Sequence, residues 1–572
     1  MLEGALGTNE RPPSLVAVGV RRWRMGVAIV AALAVTPLAV LMAVALVPAS
    51  SDTGGSPWLH LLTTVLPRAT WTTALLMGGV GLATAFIGVT TAWIVAACRF
   101  PGRNIVEWAL LLPLAIPTYI VAYAHVEVMD YTGPLQTALR WLFGFTSARE
   151  YWFPTARSLP NAIFVLSAVL YPYVYMTVRA MFELQSATTL EVARTLGAGP
   201  FRVFIRIALP LARPAVAVGV SLAMMECLND IGAVEYLGVK TLTFSVYDTW
   251  LGRGSLSGAA QIACVMLAVV FLLVSAERWA RRNQRFHASA AKGAGLSGYR
   301  LKGARAALAL GLCLLPIAVG FVVPVLVLAD YASRRLDALL DPHLARAAFN
   351  SVVYATSAAV VTVCVGLLMA YALRIRPTRF VKAMIRASSI GYAVPGAVLA
   401  VGILLPLTFV DNLLNGLSAA LFGSGWGLVL VSSGFGVLYA YVIRFLAVSI
   451  GSIETGLSRI SVHFDMAART LGRTAGQTLS EIHLPLLRPV LVSAGLLVFV
   501  DAMKELPATL LLRPFNVETL ATWVYVQASR EAIGDAAPAA LVIIIVGLIP
   551  VLSLSKIGRK RERIGYRARR MS

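Results

Sequence analysis

Apolar runs close to the ~20 residues that a helix needs to cross a bilayer recur along the whole chain. They fall near 26–48, 71–97, 105–125, 160–179, 212–232, 258–276, 305–329, 349–373, 385–410, 426–449, 487–512 and 536–554. This pattern predicts an all-α membrane protein with about twelve transmembrane helices. Acids interrupt two of the runs: Glu226 and Asp230 lie in one, Asp501 and Glu505 in the other. Two longer polar stretches separate apolar runs, "EVARTLGAGPFRVFIRIALPLARP" from Glu191 to Pro214 and "DMAARTLGRTAGQTLSEIHLPLLRP" from Asp465 to Pro489.

These stretches are copies of each other. "ARTLG" at 193–197 returns at 468–472, and "LPLARP" at 209–214 returns as "LPLLRP" at 484–489. The duplication reaches further: "RATWTT" at Arg68 matches "RAAFNS" at Arg346, and Gly88, Ala92 and Pro117 match Gly366, Ala370 and Pro395. Leu242 and Tyr247 match Leu520 and Tyr525 in the same register. Each half holds six apolar runs. An even number keeps both copies in the same orientation, so their pseudo-axis lies along the membrane normal, a plan that puts a transport pathway between the repeats. The chain accordingly divides into an N-terminal segment with the first helix and an outer loop (1–68), a first transmembrane domain (69–276), a basic linker with the seventh helix and an outer loop (277–346), a second transmembrane domain (347–554) and a basic tail (555–572).

Composition supports a membrane protein. The chain is 58% hydrophobic and 13% charged, with a mean hydropathy of +0.78, which excludes an ordinary soluble protein. The net charge of +22 could suggest nucleic acid, but its placement argues against it. With both termini inside, the cytoplasmic segments carry roughly three quarters of the Lys and Arg, the positive-inside bias of an inner membrane protein. The basic tail reads as a flank against anionic membrane lipid. Met25–Val47 exceeds a ~7–15-residue signal core and is expected to remain as the first helix. The five cysteines are scattered, with no metal or disulfide spacing.

Both polar stretches thread to the cytoplasmic side. In the first, Thr188-x-x-Glu191 has capping-box spacing for a short helix over 190–196. Gly197 is suited to end that helix, and Pro200 to start a second one, which Pro210 is expected to stop. In the second, Gly472 is the stop and Thr474-x-x-Gln477 a new cap. A short cytoplasmic helix of this kind fits either a partner's groove or the lipid headgroups.

The spacing of Glu191, Ala193, Gly197, Ile207, Leu209 and Pro210 resembles the EAA loop of bacterial binding-protein-dependent ABC importer permeases. The second copy matches at Ala468, Gly472, Ile482, Leu484 and Pro485, but has Met466 at the acid position and Asp465 one residue earlier. The resemblance covers both halves. It implies the type I ABC importer permease fold, and an ATPase-coupling role for Glu191, Ala193, Gly197, Ile207, Pro210, Asp465, Ala468, Gly472, Ile482 and Pro485. The partners it implies are two ATP-binding subunits, which would carry the ATP, and an extracytoplasmic substrate-binding protein. "MKELPATLLLRPFNVETLAT" at Met503–Thr522 is similar to the ferric iron branch of fused double permeases; thiamine, polyamine and phosphonate permeases share the class.

The chain has no phosphate-binding GxxxxGK[ST] and no catalytic or fixed metal-ligand spacing, so it is expected not to be an enzyme and to carry no cofactor. The acids are the remaining chemistry. Glu226/Asp230 and Asp501/Glu505 are i,i+4 pairs at matching positions, expected to share helix faces near mid-bilayer. A carboxylate there costs roughly 2.5–3.5 kcal/mol on insertion scales unless it faces a polar cavity or a partner, which points to a translocation pathway. Early helix breaks at Gly232 and Pro507 would instead put the acids at the outer surface. Carboxylate oxygens suit a hard cation such as Fe³⁺. Lys504 is expected to pair with Glu505. Tyr171, Tyr173 and Tyr175 are expected mainly as packing aromatics. An ion-gradient-driven transporter using Glu226 and Asp501, and a non-transporting scaffold, are the competing classes.

Overall fold

The computed structural model describes residues 15–46, 61–184, 199–281 and 299–550. Among them, eleven helices are long and apolar enough to cross a membrane, and a bent pair, Arg103–Ala115 with Thr118–Phe143, makes a twelfth span. The bend is 95° and sits at Pro117. Ile116 and Pro117 are both extended there, as expected for proline and the residue before it. The matching Pro395 caps Gly396–Phe422 in the same way. The apolar run predicted at 385–410 is therefore split. Its first part is the amphipathic helix Arg379–Ser388, and its second belongs to Gly396–Phe422.

The repeat register is visible in the packing. Leu66–Ala97 crosses Leu159–Leu184 at Gly88, where a Cβ would lie 2.6 Å from Val174 Cβ. Pro342–Ile375 crosses Phe435–Ser458 at Gly366, where a Cβ would collide with Ser449. Thr73 Oγ1 accepts the Leu242 N–H at 2.9 Å, and Ser351 Oγ accepts the Leu520 N–H at 2.7 Å. The corresponding residues Tyr247 and Tyr525 meet, hydroxyl to hydroxyl, at 3.4 Å.

Each half also embraces the other. The first helix, Leu15–Leu46, packs on second-half helices, and a Cβ at Gly402 would lie 2.5 Å from the Pro37 carbonyl oxygen. Conversely, Ala304–Arg334 packs on first-half helices, with Gly320 against the Ala168 carbonyl. Each half thus lends its first helix to the bundle of the other.

The prolines of the two polar stretches behave differently from the expectation. Pro210 does not stop a helix: Pro200–Asn229 is one continuous rod, with Pro210 in the first turn of Leu209–Asn229. Pro485 lies likewise inside Ala475–Met503. In each copy a five-residue π-helical turn, Phe204–Ala208 or Leu479–His483, comes immediately before. Such a wide turn shifts the hydrogen-bond register and accommodates a residue with no N–H.

Candidate functional site

The long helices Leu209–Asn229 and Leu484–Met503 end at equivalent points, and each is followed by a short helix, Gly232–Tyr236 or Pro507–Leu512. The helices therefore break early, yet the acids are not at the surface: Asp230 and Glu505 are buried. The breaks also end the expected i,i+4 relation. Glu226 and Asp501 sit on the long helices, while Asp230 and Glu505 follow them.

All four acids line a cavity of about 130 Å³ between the halves. Tyr119, Tyr173 and Asn229 face it from the first half, and Tyr392, Arg444 and Lys504 from the second. The acids have two kinds of work. Asp230 Oδ1 accepts the Ala233 N–H at 2.8 Å, which caps the short helix after it. Glu505 does this more completely: it accepts the N–H groups of Ala508 and Thr509 at 3.0 and 3.1 Å and the Thr509 hydroxyl at 2.8 Å. Glu505 also pairs with Arg444 at 2.9 Å, with its side chain only 2% exposed. A carboxylate buried this deeply is tolerable because its charge is paired and its lone pairs are used. Gly396 makes the approach possible, since a Cβ there would lie 2.5 Å from Arg444 Nη1 and 2.8 Å from Glu505 Oε1.

The expected Lys504–Glu505 pair is not formed. Lys504 bonds Asp501 at 3.0 Å, one helical turn back, because the helix ends at Met503 and Arg444 already occupies Glu505. Neither Glu226 nor Asp230 has an ion-pair partner among the described residues. Of the three tyrosines read as packing aromatics, Tyr171 and Tyr175 are that: their hydroxyls donate to the carbonyls of Leu110 and Glu107 at 2.9 and 2.8 Å. Tyr173 instead lines the cavity. Arg444 was missed by the sequence reading, although an arginine inside an apolar run was a usable signal.

Of the first polar stretch, Glu191, Ala193 and Gly197 lie outside the described residues, and Ile207 and Pro210 belong to the continuous rod. The second stretch is described throughout. Asp465 and the buried Ala468 lie on helix His463–Thr470. Gly472 has φ +74°, the left-handed turn that glycine adopts at little cost. Thr474 and Gln477 form the anticipated capping box of the next short helix. Ile482 falls in the π-turn and Pro485 in the first turn of the membrane helix. Asp465 is held internally: Arg374, at the end of Pro342–Ile375, pairs with it at 2.6 Å, and His483 Nε2 lies 2.9 Å away. Burial pushes the Asp465 carboxyl up, but Arg374 and His483 outweigh it and hold the group below its ordinary value. Tyr371 donates to the Ala475 carbonyl at 2.7 Å, so the loop is tied to the membrane helix at a second point. Met466 and Leu471 are left exposed.

The turn gives a direct expectation. Gly472→Val puts a β-branched residue at positive φ, costing about 1–2 kcal/mol locally. Recovery of the ATP-binding subunit in a pull-down with the intact complex should fall several-fold; undiminished recovery would show that the turn does not shape the docking loop.

A bundle of membrane-length helices with a charged cavity between its two halves and a helix–turn–helix loop fits a membrane permease. Residues 86–285 match the family described as the binding-protein-dependent transport system inner membrane component. The Fe(3+)-transport system permease protein FbpB 2 of Haemophilus influenzae is 25% identical over 85% of this chain and 89% of its own length. The molybdenum transport system permease protein ModB of Escherichia coli is 29% identical over 35% of this chain and 86% of its own length. The sulfate transport system permease protein CysT of the same organism is 29% identical over 33% of this chain and 66% of its own length. Residues 86–285 thus carry the membrane component of a binding-protein-dependent ABC importer, and most of the chain is similar to a permease of that kind, a multi-pass inner membrane protein whose family works with a substrate-binding protein and an ATPase.

Proposed function

We propose that this permease passes ferric iron across the inner membrane, with both termini in the cytoplasm. The observation that supports the cargo is the charge of the cavity. Four carboxylates and two cationic side chains line it, and each cation is already bonded to an acid, Arg444 to Glu505 and Lys504 to Asp501. The remaining acids, Glu226 and Asp230, give a passing hard cation an oxygen-rich, negative environment. An oxyanion such as molybdate or sulfate would need a cation free of its partner. The nearly full-length similarity to an Fe(3+) permease supports the same reading.

Coupling runs through the two cytoplasmic loops to two ATP-binding subunits. Glu191, Ala193, Gly197, Ile207 and Pro210 shape one loop; Asp465, Ala468, Gly472, Ile482 and Pro485 shape the other. The Arg374–Asp465–His483 cluster would carry loop motion into helix Pro342–Ile375. ATP shifts the access equilibrium through its different affinity for the two states. The test is uptake into vesicles that hold the permease with defined ATPase and binding-protein partners. ATP-dependent accumulation of iron, without molybdate or sulfate accumulation, is expected. Iron uptake driven by an ion gradient without ATPase, or oxyanion uptake instead of iron, would overturn the proposal.

A further inference from the structure

Besides Arg444, the two halves of the cavity differ by one further charge, close to the corresponding acids. Glu226 and Asp501 correspond in the repeat, and so do the residues three positions later, Asn229 and Lys504. Both later residues end the long helices, Asn229 as the last residue of its helix and Lys504 as the cap of its own. Asn229 is committed to structure: its Oδ1 accepts the Gly396 N–H at 2.7 Å and an Arg444 N–H at 3.3 Å. Lys504 instead sends its ammonium into the cavity, where it bonds Asp501 at 3.0 Å. Arg444 and, after it, Lys504 act electrostatically on Glu226, which makes no hydrogen bond or ion pair among the described residues. A lysine placed for packing alone has no reason to bring its ammonium to the cavity that the acids of both halves line.

We propose that Lys504 is a tethered stand-in for the cationic cargo: its ammonium occupies the Asp501–Glu226 site in the empty permease and gives way when a multivalent hard cation enters. The proposal rests on the cation reading above. The exchange makes and breaks only ionic contacts, and the flexible four-carbon stem lets the ammonium swing aside. The arrangement selects by valence. A monovalent cation brings no more charge than the ammonium it displaces and gives up translational freedom that the tethered group has already lost. A trivalent cation gains in attraction to both carboxylates. Lys504 therefore lowers the negative charge of the empty cavity and keeps it closed to sodium and potassium.

Terbium(III), a hard trivalent cation whose emission is sensitised by nearby tyrosine, is the probe; Tyr173 and Tyr392 line the same cavity. The permease is titrated as the complex with its ATPase subunits, and cavity binding is the saturable signal lost in Glu226→Gln. Lys504→Met should tighten terbium binding about tenfold or more, because a competing charge within a few ångströms has gone. Lys504→Arg, which keeps the charge, should stay close to the wild type and confirm that the site tolerates substitution. If Lys504→Met leaves terbium affinity unchanged or weaker while Glu226→Gln abolishes binding, the lysine is not a competitor and the proposal falls, with the cation reading intact. If neither the wild type nor Lys504→Met shows a signal sensitive to Glu226, both fall together.

Discussion

Replacing Glu226 by Gln and Asp501 by Asn together lowers iron uptake by about tenfold or more in cells that carry matched amounts of permease. The expected size follows from Coulomb attraction: at an effective dielectric near 20, losing two carboxylates from the path of a trivalent ion removes more than the ~1.4 kcal/mol that a tenfold change represents. The double variant also releases Lys504 from Asp501, so an uncompensated ammonium adds repulsion. Insertion and ATPase assembly should be kept, because removing charge from a membrane span eases insertion. Uptake of radiolabelled iron is the measurement. Unchanged uptake at equal membrane levels would sink the carboxylate pathway and leave the importer class standing.

Arg444→Leu should damage the fold more than any cavity substitution. It strands Glu505, a nearly fully buried carboxylate that accepts hydrogen bonds from Ala508 and Thr509 and holds the start of Pro507–Leu512. Breaking a buried pair by removing one partner costs about 3–5 kcal/mol. The permease should lose several degrees of thermal stability in detergent, followed as the folded fraction by size-exclusion chromatography after heating. Adding Glu505→Gln should restore part of the loss, since a neutral amide oxygen can still accept from Ala508 without an unpaired charge. A single variant as stable as wild type, or a double variant worse than the single, would contradict this account.

The sequence reached some of this structure because the features were local or repeated. Gly472 and the Thr474–Gln477 cap are local backbone chemistry, and the structure has both. Gly88 and Gly366 could be matched because the same helix crossing was needed twice. Arg444 is the instructive failure. Val174 and Ser449 meet the matching Gly88 and Gly366, a register that sets Arg444 opposite the apolar Val169, so the repeat gave it no charged counterpart. Its partner was misassigned to Lys504 because sequence neighbours were favoured over a helix remote in the chain. The breaks at Asn229 and Met503 were foreseen only as a route to the surface. Short helices folding back around capped acids are a tertiary solution that leaves little trace in a hydropathy pattern. The prolines misled for a related reason: a π-turn absorbs what would otherwise be a helix end.

The exchanged first helices bear on how the protein is made. Leu15–Leu46 leaves the ribosome long before Gly396–Phe422, the second-half helix that it crosses where Pro37 meets Gly402. About 350 residues separate the two, which at roughly 5–20 residues per second means a wait on the order of twenty seconds to a minute. A helix can wait in lipid because its backbone hydrogen bonds are satisfied within itself. Until synthesis passes residue 422 the first helix has Leu256–Arg281 of its own half to pack on, while its second-half face stays open to lipid. A nascent chain stalled before that point should be a substrate for membrane quality control even though its own six spans are complete.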